Sequence, residues 1–325
     1  MPRDEPSPRS SLKRGVSTGV EIIKTSRIPA SMTDKSRLKG YVEAIISSAT
    51  FGTIPLFSIP VLAAGMQISS LLVYRFGFAC LMMMAVLIYN GKSLRITFGE
   101  GLRLTFMSLL YAVSAICLIN GYHYLPSGVA TTLLFSYPVF TAILEIIFSH
   151  HRLTFPVAFS IALAVAGVAM LSGIIVNGFD VNSSIGLLLE LSSGLLYAIY
   201  MVAYPNMKIK RMGSLKTNFF MFFMAMMILA LYSFFTMGHI QPIGDVHVFF
   251  YLLLLGCIPT TISNVTLVMA MKHIDSTSVA TLGAFEPLTA MLIGILVFGE
   301  PMTWYVVAGF MMIVAAVYIL IKHHA

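Results

Sequence analysis

The chain encodes an all-α integral membrane protein, ten transmembrane helices built as two inverted five-helix repeats, and three observations lead there. With 58% hydrophobic and only 10% charged residues, and a mean hydropathy of +0.89, its 325 residues have too little polar surface to cover a water-soluble globule. Apolar runs of about 20 residues, the length that crosses a ~30 Å hydrocarbon core, follow one another with short polar breaks. One segment is also written twice: "VATTLLFSYPVFTAILEIIFSHHRLT" from Val129 returns as "VATLGAFEPLTAMLIGILVFGEPMT" from Val279. Runs this long and continuous exclude a barrel, whose strands alternate over about 10 residues.

Residues 1–40 hold Pro, Ser, Lys and Arg without an apolar period and read as a disordered cytoplasmic tail. Span one, 41–62, is too long for the apolar core of a signal peptide, so it is a retained helix, interrupted at Pro55. Span two, 67–89, carries Arg75, and span three is 103–122. Span four, 128–148, contains Pro138 and Glu145; span five, 155–176, has an Ala158, Ala162, Ala166 stripe expected to pack against another helix. Span six, 184–204, carries Glu190, and span seven is 217–237. Span eight, 246–270, contains Pro259; span nine, 277–298, contains Glu286 and Pro287; span ten is 303–321. The two units are residues 41–177 and 183–322.

Basic residues orient these spans. Of 20 Lys and Arg, nine lie in the tail and Arg75 lies within a span; the other ten all follow an even-numbered span, as in Lys92 to Arg103, Arg152 and Lys208 to Lys216. Loops after odd-numbered spans show Asp180, Asp245 and Glu300 instead. Both termini are therefore expected in the cytoplasm, and the net charge of +7 is a topology signal, not a nucleic-acid footprint. Five spans per unit is an odd number, so the second copy enters the membrane upside down. Two such units, with a site near the midplane between them, form the plan of many secondary transporters.

With those residues in view, "LINGYHYLPSGVATTLLFSYPVFTAIL" and "LVMAMKHIDSTSVATLGAFEPLTAMLIGILVFGEPMT" resemble the two EamA repeats of the drug/metabolite transporter superfamily. So do "YRF" at Tyr74 to Phe76 and "FGTIP" at Phe51 to Pro55, where relatives usually have a Trp-Gly pair. The resemblance covers residue 40 onward. It implies efflux of amino acids or related compounds across a bacterial inner membrane. One departure is that His150 and His151 precede Arg152 where the first repeat usually reads Gly-Glu-Arg; the second repeat keeps its acid as Glu300.

An ionised group at the centre of a spanning helix costs about 3 kcal/mol on insertion scales, so each one invites a search for its partner. Arg75 cannot deprotonate and reads either as half of a structural ion pair or as a substrate counterion. Glu286 shares a helix face with Gly283, Ala290 and Gly294; it reads either as a packing carboxyl or as a group that takes a proton or a cationic substrate group in turn. Glu190, on a face with Gly186, Ser193, Gly194 and Tyr197, reads as a cavity wall or as a carboxyl solvated at a cavity mouth. Glu43 and Glu145 lie close enough to the cytoplasmic ends of their spans to reach water. Proline inside a span frees a backbone carbonyl, and bends at Pro138 and Pro287, matching places in two halves, point to a transport site. Thr53, Ser136, Tyr137, Thr261, Asn264 and Phe285, near the bends at Pro55, Pro138, Pro259 and Pro287, complete the candidate lining.

Cys80, Cys117 and Cys257 all fall inside spans and suggest neither a disulfide framework nor a metal motif. No nucleotide-binding or HExxH pattern is present, neither His123 nor His273 has an evident catalytic partner, and no cofactor is implied. The expectation is a transporter, not an enzyme. It would move a small organic metabolite by alternating access, with a proton as candidate coupling ion and the bilayer as its other partner. A non-transporting membrane receptor or partner subunit, and more remotely a membrane-embedded enzyme, are the alternatives.

Overall fold

A computed structural model describes residues 34–149, 154–171, 181–206, 212–274 and 282–324. Residues 1–33, most of the expected tail, lie outside the described residues, as do His150, His151, Arg152 and the side chain of Glu145. The described residues are helical, with no strand among them. Six helices are long and apolar enough to cross a membrane, accompanied by shorter apolar helices; a count of ten spans is not reached on that measure.

Proline placement explains why the chain breaks where it does. Helix α1 (Asp34–Phe51) begins inside the stretch assigned to the tail and stops at Phe51, four residues before Pro55, which has no N–H to offer that carbonyl. After a turn at Gly52 and Thr53 the chain resumes as α2 (Ile54–Ala63). Next come α3 (Ile68–Tyr89) and α4 (Phe98–Gly121), the latter opened by a capping box between Thr97 and Glu100. Helix α5 (Ser127–Leu134) ends four residues before Pro138, and α6 (Tyr137–Ser149) restarts with that proline in its first turn. Then follow α7 (Phe155–Leu171), α8 (Val181–Asn206), α9 (Ser214–Met237) and α10 (Val246–Leu255), which stops four residues before Pro259. A π turn, Gly256–Ile262, joins α10 to α11 (Ser263–His273). A turn at Gly283 and Ala284 leads into α12 (Phe285–Phe298), with Pro287 in its first turn, and α13 (Trp304–His324) closes the chain.

The π turn has a local cause. Pro259 leaves the Leu255 carbonyl without its usual donor; Thr260 Oγ1 donates to it at 2.9 Å, and Thr261 Oγ1 donates to Gly256 O at 2.9 Å. Threonine hydroxyls thus hold the widened turn.

The main packing pairs are α7 with α13, α3 with α9, α4 with α8, α1 with α11, and α5 with α12. In lipid these pairs gain nothing from burying apolar surface, so close approach and interhelical hydrogen bonds hold them. Ser114 and Ser193 bond each other's backbone carbonyls across α4 and α8 at 3.0 and 2.8 Å, and Ser47 Oγ donates to Ser263 O at 2.8 Å across α1 and α11. Ser160 Oγ donates to Ala316 O at 2.5 Å, and Gly167 meets the backbone of Gly309. This corrects the alanine stripe: α7 packs through Val157, Ser160, Ala164, Gly167 and Leu171, whereas Ala162 is exposed. A hydrogen-bonding serine and a glycine that lets backbones touch outweigh an alanine row.

Among the described glycines Gly52 comes closest to the backbone of another helix, because a Cβ there would fall on the Glu286 carbonyl and press on Thr289. Gly52→Ala should lower stability by about 1–3 kcal/mol. Gly77→Ala, whose new methyl meets only the flexible Met226 side chain at 3.4 Å, should hold or raise the melting temperature. Thermal unfolding in detergent compares the two. Equal melting points would mean that the α1–α12 crossing is loose.

Candidate functional site

Two apolar cores flank the middle of the molecule, one built on α2, α3, α4, α9 and α10, the other on α5, α6, α7, α12 and α13. Tyr122, just past the end of α4, packs against both. Around it the chain gathers its buried charges.

Arg75, from the middle of α3, is 1% exposed. Its Nε donates to Thr260 Oγ1 at 3.0 Å, and its guanidinium lies 5.7 Å from the Phe76 ring centre. Thr260 is held in turn, since its hydroxyl donates to Leu255 O and its carbonyl accepts from Asn264 Nδ2 at 2.6 Å. Gly256 lets the π turn sit directly on the α3 backbone at Arg75 and Ala79. Among the described residues no carboxylate lies within ion-pair distance of Arg75. A structural ion pair is therefore not what holds this cation. A buried guanidinium with a neutral partner on one edge and its remaining donors uncommitted to any acid has the donors that could meet an anion.

Next to it stands a cluster of tyrosines. Tyr111 of α4 lies 6.1 Å, ring centre to ring centre, from both Tyr197 and Tyr200 of α8, and 5.9 Å from Phe76. Tyr137, the first residue of α6, meets Tyr197 edge-on at 4.9 Å. Glu286 of α12 lies within electrostatic range of Tyr111, Tyr122, Tyr137 and Tyr197, and Arg75 within range of Tyr111 and Tyr122. Glu286 is 7% exposed, and its Oε1 has no hydrogen-bond partner among the described residues. A buried cation, a carboxyl and aromatic rings gathered in one region are the groups that an organic molecule bearing both signs of charge would need.

Glu190 is fully enclosed, and neither carboxyl oxygen has a partner among the described residues. It is not at a cavity mouth, as solvation would require. It presses on Gly121, where any side chain would collide with the carboxyl, and its charge reaches Cys117 and Tyr122. Gly121→Ala would thus evict Glu190.

The other candidates divide. Ser136 lies buried in the break between α5 and α6 and donates to Leu133 O at 2.6 Å; its Oγ also faces Gly194 of α8. Thr53, in the break between α1 and α2, donates to Thr50 O at 2.6 Å beside the Gly52 contact with Glu286. Phe285 opens α12 next to Glu286, and its carbonyl accepts from Thr289 Oγ1 at 2.7 Å. Asn264 supports the site through Thr260. Thr261 does not reach Arg75; its neighbour Thr260 does.

Sequence reasoning passed over Tyr111, Tyr122, Tyr200 and Thr260. It also gave His273 no partner and Glu43 to water. Glu43 is 7% exposed, and its Oε2 lies 2.9 Å from His273 Nδ1, a contact that ties α1 to α11.

Two grooves are lined by residues outside the tyrosine cluster. One is lined by Ala284, Met311, Val314 and Tyr318 on the apolar flank of α13, the other by Pro126, Gly128, Met291 and Glu300.

Comparison with known proteins follows the same division of the chain. A family model described as "EamA-like transporter family" matches residues 38–173 and again 184–322. No curated protein matches the chain. Solved structures do: one described as "Crystal structure of protein" is similar over 89% of this chain and 96% of its own, with a TM-score of 0.59 at 16% identity, a likeness of fold alone.

Proposed function

The chain belongs to the EamA-like transporter family, and from that premise we propose that it is a secondary exporter of a small organic metabolite bearing a carboxylate, such as an amino acid or a related compound. Transport runs by alternating access between two inverted repeats of five helices, in a bacterial inner membrane with both termini in the cytoplasm. The observation that carries this reading is Arg75, enclosed at the centre with Thr260 beside it and no acid to neutralise it. A buried unpaired cation costs several kcal/mol, a cost that a bound anion would offset. Glu286 takes the substrate's cationic group or a proton, and Tyr111, Tyr137 and Tyr197 form the walls.

The packing pattern supports two equivalent units. Number the spans one to ten, and a shift of five exchanges span four with nine, two with seven and five with ten, which are the pairs α5–α12, α3–α9 and α7–α13. The same shift turns the α4–α8 pair into the α11–α1 pair, and both of these carry reciprocal or near-reciprocal serine contacts. Pairings that survive such a shift are what a two-fold relation between repeats requires.

Counterflow in proteoliposomes tests the reading. Vesicles loaded with one member of a panel of carboxylate metabolites should take up its labelled form against no net gradient. Absence of counterflow across amino acids, their acylated forms and small carboxylates would overturn the assignment. Orientation has its own check. In a chain freed of Cys80, Cys117 and Cys257, Asn182→Cys should react with an impermeant thiol reagent from outside and Ser214→Cys should not; the opposite pattern would invert the topology.

A further inference from the structure

Helix α5, the first half of its broken span, starts badly. Pro126 stands at its N-cap position and has no side-chain oxygen, so the exposed amide groups of the first turn have no local acceptor. The acceptor comes from the other repeat. Glu300, just beyond the end of α12, takes the Ser127 N–H on Oε1 at 2.7 Å and the Gly128 N–H on Oε2 at 3.3 Å. Three glycines make this possible. Gly299, at φ +65°, turns the chain back after α12, and the Glu300 N–H closes the turn on Gly294 O at 2.9 Å. A Cβ on Gly294 would fall on the Glu300 carboxyl, and one on Gly128 would strike the Met291 backbone. The Ser127 hydroxyl is enclosed in the same contact.

A cap is ordinarily supplied by the residue before the helix, where it costs nothing to keep. Here the carboxylate is 173 residues away, so the first turn of α5 keeps its hydrogen bonds only while the two repeats touch at this end. The charge pattern puts both Ser127 and Glu300 on the outer side, after odd-numbered spans. We infer that Glu300 is the latch of the outer gate: it holds α5 against α12 while the outer side is closed, and its release from Ser127 and Gly128 is a required step of outward opening. The inference rests on the transporter reading and its orientation, and goes beyond them in assigning a gating contact.

Accessibility without substrate tests it separately from transport. Thr131 lies one turn below the latch on α5, 3% exposed, with Oγ1 3.3 Å from Tyr122 Oη. In a background lacking the native cysteines, Thr131→Cys should react slowly with an impermeant maleimide added outside. Glu300→Gln removes the charge and should speed that reaction about tenfold, the size of one charge-assisted hydrogen bond. Gly294→Ala leaves the charge in place but displaces the carboxyl, and should act in the same direction. Glu300→Asp, too short to reach both amides, should fall between. Melting temperature controls for folding, and whichever of the three variants folds decides the question. Labelling of Thr131→Cys that is unchanged in a folded variant, or already fast with Glu300 intact, overturns the latch. Loss of counterflow with labelling as described would instead overturn only the substrate reading.

Discussion

Arg75→Met should remain folded, with a melting temperature equal to or above that of the unmodified chain, and should lose counterflow of carboxylate substrates by about thirtyfold or more. The two halves of this result have one cause. Removing one partner of a buried ion pair leaves an orphan charge and costs about 3–5 kcal/mol of stability. Arg75 has no such partner among the described residues, so methionine removes an uncompensated charge and fills much the same volume. What remains behind is Thr260, whose hydroxyl keeps its bond to Leu255 O. A desolvated charge pair with substrate, by contrast, is worth about 2–5 kcal/mol when truncated, which is a factor of roughly thirty to several thousand. Arg75→Lys keeps the charge but loses the planar fork and the Nε that meets Thr260, and it should recover only part of the activity. A methionine variant that unfolds would make Arg75 structural. One that transports normally would put the anion site elsewhere.

How much of this was legible beforehand depends on what each residue's signal required. Arg75, Glu190 and Glu286 stand out in any reading of the chain, because an ionisable side chain in an apolar run is conspicuous. The breaks were legible as well, since Pro55, Pro138 and Pro259 each end a helix four residues earlier by a rule that needs no tertiary structure. Nearness to Pro259 marks Thr261 and Asn264 but does not separate two adjacent threonines: which of them meets Arg75 depends on the register of the π turn, and it is Thr260. Tyr111, Tyr122 and Tyr200 are three among 14 tyrosines and carry no mark that separates a site from packing. The Glu43–His273 contact spans 230 residues and could not be seen without the fold. Glu300 could be noted as a motif residue, but its role needs Ser127 beside it. Helix existence is a local property, whereas sites depend on how helices are rotated about their axes.

Glu286→Gln should fold, still exchange substrate in counterflow though with weakened binding, and abolish uphill transport driven by a pH gradient. The side chain is enclosed, with Oε1 unpartnered among the described residues, and an ionised carboxyl in such surroundings costs about 3 kcal/mol unless a proton or a cation neutralises it. A proton and a cationic substrate group are thus alternatives at one carboxyl, and exchanging them as the repeats rock would couple metabolite exit to proton entry. Glutamine has the shape of the protonated acid but cannot release a proton, so it should permit exchange of substrate for substrate and no more. Position supports this role: Glu286 lies in the first turn of the helix after a break, its backbone carbonyl bears on Gly52 of the other repeat, and it lies within electrostatic range of Tyr111, Tyr122, Tyr137 and Tyr197. The measurement is uptake into energised vesicles with and without an imposed pH gradient, alongside counterflow in the same preparation. Uphill transport by the glutamine variant at the original rate would make Glu286 a packing residue. It would also leave the enclosed Glu190, with both oxygens free of partners among the described residues, as the carboxyl to replace next in the same assay.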